Sequence, residues 1–198
     1  MYQRIIITPI LLLFLSLGTL FAQEVTLDLV TGSELTIDGT SNIRDWDATT
    51  TTLDAELILA GAETTLQSLS PEQFISLTLS LPVESLDSGT RGLNNNMHKY
   101  LKSDVQPNIR FELGEISEIT QTDNGITLTA TGTVFVAGES IEVTMSVDAA
   151  TNSEGEWVFS GSQPLKMTDF GISPPTAVFG TVRAVDDVTI LYNIRFRK

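Results

Sequence analysis

The 198-residue sequence contains no cysteine and a single histidine, His98. The absence of cysteine excludes disulfides, thiol nucleophiles and thiolate metal sites. One histidine excludes metal sites that need two imidazoles, including the helical His-Glu-x-x-His zinc motif. Basic residues are also scarce, with 11 Lys and Arg against 25 Asp and Glu, which gives a formal net charge of −14. This balance argues against nucleic-acid binding, which needs clustered Lys and Arg, and against docking on anionic lipid.

The first 22 residues have the composition of a targeting segment. One arginine precedes an almost wholly apolar run at 5–15, and small residues follow as far as Ala22. This arrangement is typical of a secretory signal peptide cleaved after Ala22, and a retained membrane anchor is the alternative. We therefore predict an exported protein, periplasmic or secreted, with one domain at 23–198 and no stable membrane insertion after cleavage.

Apolar and polar residues alternate with a period of two through most of the remaining chain. This period indicates half-buried antiparallel strands, and the many threonines favour strand over helix. Turn signals at 123–125, 137–139 and 152–155 join neighbouring strands, as in an up-and-down meander. Such a sheet buries its apolar face either by stacking or by closing into a barrel, and the pattern leaves both open. The predicted strands are 34–39, 53–59, 75–83, 109–113, 126–136, 141–149, 157–165 and 188–196.

Three stretches depart from the alternation. Residues 93–102 carry apolar side chains at helical spacing and predict one short helix. Residues 168–180 are rich in glycine and proline and predict a loop, because Pro174 and Pro175 cannot join the interior of a strand ladder. Arg44 to Trp46 predict a loop or strand start with a packed tryptophan.

Few residues suggest chemistry. His98 lacks the nucleophile and orienting partner that a general base needs, so no catalytic residue is predicted. Asp186 and Asp187 would point to opposite faces of a strand and do not converge on a metal ion. Arg91, at the start of the predicted helix, either holds a ligand head group or bonds to neighbours of the helix.

The inward apolar face is the remaining candidate for function. An eight-stranded barrel is just wide enough to be filled by side chains or to hold one slender ligand. The inward residues are aliphatic and aromatic, which would suit an apolar chain but not acid–base catalysis. Close packing of the same residues in a filled core is the alternative. The candidate ligand-binding residues are Leu77, Leu79, Arg91, Phe111, Leu128, Val143, Met145, Trp157, Phe159 and Phe170.

Four stretches match the pattern of one known protein family. The first is SELTIDGTSNIRDWDATTTTLDAEL, which has a Gly-Thr-Ser signature followed by Trp46 and resembles that family's opening strands. The second is VESLDSGTRGLNNNMHKYLKSDVQPNIRFEL, which resembles its helical insertion ending in a Pro-x-Ile-x-Phe strand start. The third is ITLTATGTVFVAGESIEVTMSVDA, which resembles a central hairpin, and the fourth is LKMTDFGISPPTAVFGTVRAVDDVTILYNIRF, which resembles the closing segment. In this order, from about Leu27 to Phe196, the sequence resembles the YceI family of lipocalin-like, polyisoprenoid-binding proteins.

One family motif is altered in this sequence. Many members carry Arg-Asp-x-His-Leu in the insertion, where this chain has Arg91, Gly92 and Asn94 at the arginine, aspartate and histidine positions. His98 lies four positions later, so only Arg91 can be assigned a head-group role from the resemblance.

The resemblance implies an all-β fold, an antiparallel up-and-down eight-stranded barrel with the short helix inserted. It also implies a non-catalytic protein that binds an isoprenoid lipid, such as a quinone or polyprenyl lipid, with no other cofactor. A structural or adhesive envelope barrel with a filled core is the alternative, and an enzyme is a third. The sequence leaves the lipid and the oligomeric state open.

Overall fold

A computed structural model describes residues 23–61, 65–177 and 179–198. The predicted signal peptide therefore lies outside the described residues. The α-helix α1 (Arg91–Tyr100) follows the fifth strand of the chain. The strands are β1 (Glu24–Leu29), β2 (Glu34–Ser41), β3 (Asp45–Thr50), β4 (Asp54–Ala60), β5 (Phe74–Pro82), β6 (Asn108–Thr122), β7 (Gly125–Val136), β8 (Glu139–Thr151), β9 (Trp157–Lys166), β10 (Thr176–Ala177) and β11 (Val182–Arg197).

The strands form an antiparallel sheet that closes on itself. β1 and β2 follow one another along the same edge of β11, so together they occupy one position in the wall. β3 and β4 occupy the next position, since β3 pairs with β2 and β4 pairs with β1. β5, β6, β7, β8 and β9 continue the wall in chain order to β11, while the short β10 pairs only with β11. Counted by position, the wall has eight strands, and the predicted all-β up-and-down barrel with one helix is confirmed.

Tight turns set the register of the meander, as the sequence predicts. The turn between β7 and β8 places both Ala137 and Gly138 at positive φ, 54° and 91°. Two successive positive φ values give the twist that suits a two-residue hairpin. The turns at 123–124 and 152–156 join β6 to β7 and β8 to β9. These short connections keep sequence neighbours adjacent around the barrel.

Several predicted boundaries are wrong. β1 and β3 lie outside the predicted strands, and β6 extends well beyond 109–113. β6 contains register shifts at Leu113/Glu115 and Ile116/Glu118, which interrupt the period-two pattern that would otherwise extend the prediction. Residues 168–180 also include β10 and the end of a 3-10 turn at Met167–Phe170.

The helix begins and ends two residues earlier than the predicted 93–102. Thr90 is its N-cap and accepts hydrogen bonds from the N–H groups of Leu93 and Asn94. The helix ends before Lys102, whose φ of 57° is incompatible with helix continuation. Among the described residues, no helix combines the length and apolar character needed to span a membrane.

The two ends of the barrel differ. At one end, Leu66 and Leu69 from the connection between β4 and β5 belong to a packed cluster with Leu27, Ile126 and Phe196. This cluster forms a floor. At the other end lie α1, the turn at 42–44 and the chain between β9 and β11. The first end is therefore closed by apolar packing, and the second carries the longer connections.

A polar network anchors the start of α1 to the barrel. The Asn94 amide donates to Asp87 Oδ1 at 2.8 Å, and the Ser88 hydroxyl donates to Asn94 Oδ1 at 2.6 Å. The Gly89 N–H also donates to Asp87 Oδ1, at 2.8 Å. Asp87 in turn forms an isolated β-bridge with Thr49 of β3. The helix is thereby attached to the wall through side chains as well as through the chain.

We predict that Asp87→Asn lowers stability more at neutral pH than in acid. The hydrogen bonds from Asn94 and Gly89 lower the pKa of Asp87 below 3.8, so its contribution is complete above about pH 4. That contribution is lost as the pH falls through the lower folded value. Urea unfolding of both proteins at pH 7 and near pH 3 measures the difference. Asp54→Asn, on the exposed side of β4, is the matched control, and an equal loss from both variants would contradict the prediction.

Candidate ligand-binding cavity

A cavity of about 650 Å³ occupies the interior of the barrel. Eight strands enclose a space that large inward side chains could fill. Here several inward positions carry very small residues instead, among them Gly39, Ala130, Gly132 and Gly161. The space therefore arises from the sequence of the inward face and not from a wider barrel.

Three of these glycines lie beneath aromatic rings. A Cβ atom at Gly39 would overlap the Trp46 ring, and one at Gly161 would overlap the Tyr192 hydroxyl. Gly39 and Trp46 are directly opposite on β2 and β3, as are Gly161 and Tyr192 on β9 and β11. A Cβ at the third glycine, Gly132, would likewise meet the Phe111 ring. Trp46, Phe111 and Tyr192 all line the cavity, so each ring covers a glycine instead of projecting across the lumen.

The floor of the cavity is wholly apolar. Phe159 and Phe196 meet edge to face there, with ring centroids 5.9 Å apart and planes inclined at 77°. Leu57, Leu128 and Ile194 line the same region and belong to the floor cluster. None of these five side chains can hydrogen-bond to a guest, so the region they line suits an apolar group.

Polar lining residues gather at the opposite end, the mouth. Ser41 ends β2 and Arg44 follows in the turn to β3, while Thr90 is the N-cap of α1 and Asn96 lies within that helix. This separation of polar and apolar lining suits an amphiphile with one polar end. Glu112 and Asp187 engage two further cations of the lining, Arg110 at 3.7 Å and Lys166 at 2.7 Å.

Unlike Arg110 and Lys166, Arg44 forms no ion pair among the described residues, so its charge can interact with a ligand. Its side chain has no hydrogen bond or ion pair among the described residues, and it is exposed. The described lining includes no Asp or Glu, although the chain carries a net charge of −14. The described lining therefore carries basic residues and no acidic residue of its own, in an acidic protein.

Tyr192 lines the cavity from β11, opposite Gly161, and its hydroxyl lies farther from the mouth than the other polar groups described above. Its oxygen lies 3.5 Å from the Ser146 carbonyl oxygen and 4.0 Å from the Met145 sulfur. Burial, together with the charge of Asp148, raises the pKa of Tyr192 to about 12. The phenol is consequently neutral at physiological pH and offers a hydrogen bond but no charge.

The structure brings seven of the ten candidate residues together around the cavity. Val143 and Trp157 are buried, but they do not line it. Trp157 packs in the floor cluster, because it lies opposite Phe196 at the closed end of the barrel. Arg91 is exposed at the first position of α1 and is not part of the lining, whereas its neighbours Thr90 and Gly92 are. The residues that line the cavity are Leu77, Leu79, Phe111, Leu128, Met145, Phe159 and Phe170.

Sequence reasoning missed three features of the lining. Arg44 and Trp46 belong to it, although the sequence predicts only a loop or strand start there. Tyr192 lies on a predicted strand but was not among the candidate residues. The available signal was a glycine opposite each of two aromatic residues, which becomes visible only when the strand register is known.

The acidic pair and the histidine lie outside the cavity. Asp186 accepts hydrogen bonds from the Thr168 N–H at 2.9 Å and hydroxyl at 2.7 Å, which lower the pKa of its carboxyl. Asp187 pairs with Lys166, and no metal-binding cluster of His, Asp or Glu occurs in the described part of the chain. His98 lies on α1, where its Nε2 is buried without a hydrogen-bond partner among the described residues.

Comparisons with solved structures show the same fold at low sequence identity. The chain is similar to Burkholderia cenocepacia BcnA, with 18% identity, a TM-score of 0.64, and coverage of 85% of this chain and 99% of that one. It is similar to a polyisoprenoid binding domain from Saccharophagus degradans implicated in plant cell wall breakdown, with 11% identity, a TM-score of 0.62, and coverage of 87% and 97%. It is also similar to a Campylobacter jejuni YceI protein, with 16% identity, a TM-score of 0.54, and coverage of 74% of this chain and 81% of that one.

Sequence comparison assigns the chain to a protein family, which the similarity of fold alone does not do. No curated protein matches the sequence significantly. The sequence profile of the YceI-like domain, however, matches residues 24–196, from the first wall strand to the last. The stretches that resemble this family in the sequence form the wall, the inserted helix and the mouth of the barrel. The chain therefore belongs to the family of YceI-like proteins.

Proposed function

We propose that the protein binds an amphiphilic isoprenoid lipid, of quinone or polyprenyl type, in the barrel cavity and carries or stores it. The observation that carries the proposal is a mostly apolar cavity of about 650 Å³ whose polar lining residues gather toward the mouth, with the Tyr192 hydroxyl as a deeper exception. Its volume falls within the range of about 300–1,000 Å³ that is usual for small-molecule sites. The similarity to a polyisoprenoid binding domain supports an isoprenoid as the guest.

The size of the cavity favours this function over a purely structural barrel. Side chains that line an unfilled space lose the van der Waals contacts that a close-packed core would give them. A structural barrel gains nothing from such a space, whereas a carrier needs it. The space is therefore better explained by a bound ligand than by a purely structural role.

The cavity lining supports a non-catalytic role. Acid–base catalysis needs a group that exchanges protons near the working pH, within reach of the substrate. Tyr192 has its pKa raised to about 12, and His98 is not part of the lining. The mouth residues Arg44, Thr90 and Asn96 can position a head group without changing it. We therefore infer binding without turnover.

Extraction of the purified protein with organic solvent, followed by mass spectrometry, tests the proposed function. We expect a long-chain isoprenoid, or its stoichiometric uptake when quinones and polyprenols are added. Ala130→Phe should weaken uptake by about tenfold or more, because the new ring occupies the lumen between Leu128 and Gly132. Thr131→Phe, on the outer face of the same strand, should leave uptake unchanged. A wild-type protein that neither yields nor takes up such lipids would support the structural role instead.

We predict that Gly161→Ala displaces Tyr192 and costs about 1–3 kcal/mol of unfolding free energy. The added Cβ overlaps the tyrosine hydroxyl, so the ring must move into the lumen, and lipid uptake should also fall. Replacing Tyr192 with leucine in the same chain should restore part of both losses. Urea unfolding and lipid titration of the two single variants and the double variant measure this. Additive losses would show that the two residues do not interact.

We also propose that residues 1–22 direct export to the periplasm and are removed. The support is the sequence pattern of a short basic start, an apolar run and small residues near Ala22. N-terminal sequencing of the protein recovered from the periplasm should begin at Gln23. Recovery of the intact N-terminus from the membrane fraction would support the retained anchor.

A further inference from the structure

Two loop tips beside the mouth expose large apolar side chains. Ile43, in the turn between β2 and β3, is 61% exposed, and Phe179, in the loop before β11, is fully exposed. The Asn42 side chain joins the tips, since its amide donates to the Thr181 carbonyl at 2.9 Å. Its Oδ1 also accepts the Arg183 N–H at 2.8 Å. The two tips therefore form one connected rim, defined here by Ile43, Arg44, Phe179 and Arg183.

Phe179 adopts an unfavourable conformation, and its ring is not buried against any of the described residues. Its φ is 54°, in the left-handed region that bulky residues rarely adopt. Burial would offset such strain, but the ring is fully exposed. An exposed aromatic held in a strained turn at the mouth of an apolar cavity indicates an external surface that it contacts.

The four rim positions carry two arginines and no acidic residue, although Asp45 adjoins Arg44 and Asp186 lies three residues after Arg183. Arg44 has no side-chain partner among the described residues, and Arg183 directs its Nε only to the Gly180 carbonyl, at 3.0 Å. Asp45 is the one acid within two residues of the rim positions in the sequence. Charges more than about 10 Å apart are largely screened at physiological salt, so acids farther along the barrel act weakly on a contact at the rim.

We propose that this rim docks the protein on an anionic phospholipid bilayer. Ile43 and Phe179 enter the boundary between head groups and acyl chains, and Arg44 and Arg183 contact phosphates. Ile43 and Arg44 also line the cavity, so docking turns the mouth toward the lipid. The inference rests on the proposed function for its purpose, because a mouth that faces the bilayer lets a lipid pass between membrane and cavity. The net charge of −14 predicts that the protein does not bind anionic lipid. The proposal differs from that prediction because the two arginines of the rim make the contact.

Vesicle flotation tests the proposal with the purified protein. The vesicles contain phosphatidylcholine with about a quarter phosphatidylglycerol, and we expect the wild type to float with them. Phe179→Ser should weaken binding about tenfold, from the loss of one buried aromatic side chain. Arg183→Gln should weaken it about fivefold on these vesicles and have little effect on pure phosphatidylcholine. Neither residue lines the cavity, so isoprenoid binding without vesicles should be unchanged in both variants.

Leu191→Ser provides the matched control. Leu191 is 42% exposed on β11, about 26 Å along the strand from Arg183. Its replacement should leave flotation unchanged. A wild type that binds isoprenoid but does not float overturns the rim proposal alone, as does an equal loss from Leu191→Ser. A wild type that floats but binds no isoprenoid supports the rim and overturns the proposed function.

Discussion

The barrel depends on one strand that bonds along both of its edges. β11 pairs with β9 on one side and with β1 and β2 on the other, which makes an open meander a closed wall. Closure with β1 rests on only two residue pairs, Asp28 with Arg197 and Leu29 with Phe196. A closed wall separates an interior from solvent. The apolar cavity, its floor and its mouth all follow from this closure.

The sequence predicts the wall well because alternation reports directly on a half-buried strand. It fails where the backbone departs from that period. In β6, the register shifts near Leu113 and Ile116 break the alternation and conceal most of the strand. The helix boundaries were displaced because apolar spacing marks the buried face, whereas Thr90 and Lys102 determine the ends. The closure by β11 could be expected only from the resemblance, since pattern alone fits a sandwich equally well.

The candidate site was less predictable than the wall, for a geometric reason. Alternation identifies inward residues but not their height along the barrel. Trp157 is inward yet packs in the floor, and Val143 is inward and buried without contributing to the lining. The sequence offers a head-group role for Arg91 and only a loop or strand start for Arg44, yet of these two residues Arg44 lines the mouth. Its position depends on the turn between β2 and β3, which is fixed by hydrogen bonds to the distant Thr181 and Arg183.

The three aromatic rings that cover glycines also affect how much side-chain conformational entropy the cavity loses when a ligand binds. A long flexible side chain gives up rotamer freedom when a ligand packs against it, at a cost of about 0.5–1.5 kcal/mol each. Trp46, Phe111 and Tyr192 already lie against a neighbouring backbone, so most of that freedom is lost during folding. A chain that slides into the lumen meets a surface ordered in advance. Part of the entropy cost of binding is thus paid during folding, because glycine at Gly39, Gly132 and Gly161 lets the three rings pack against the backbone.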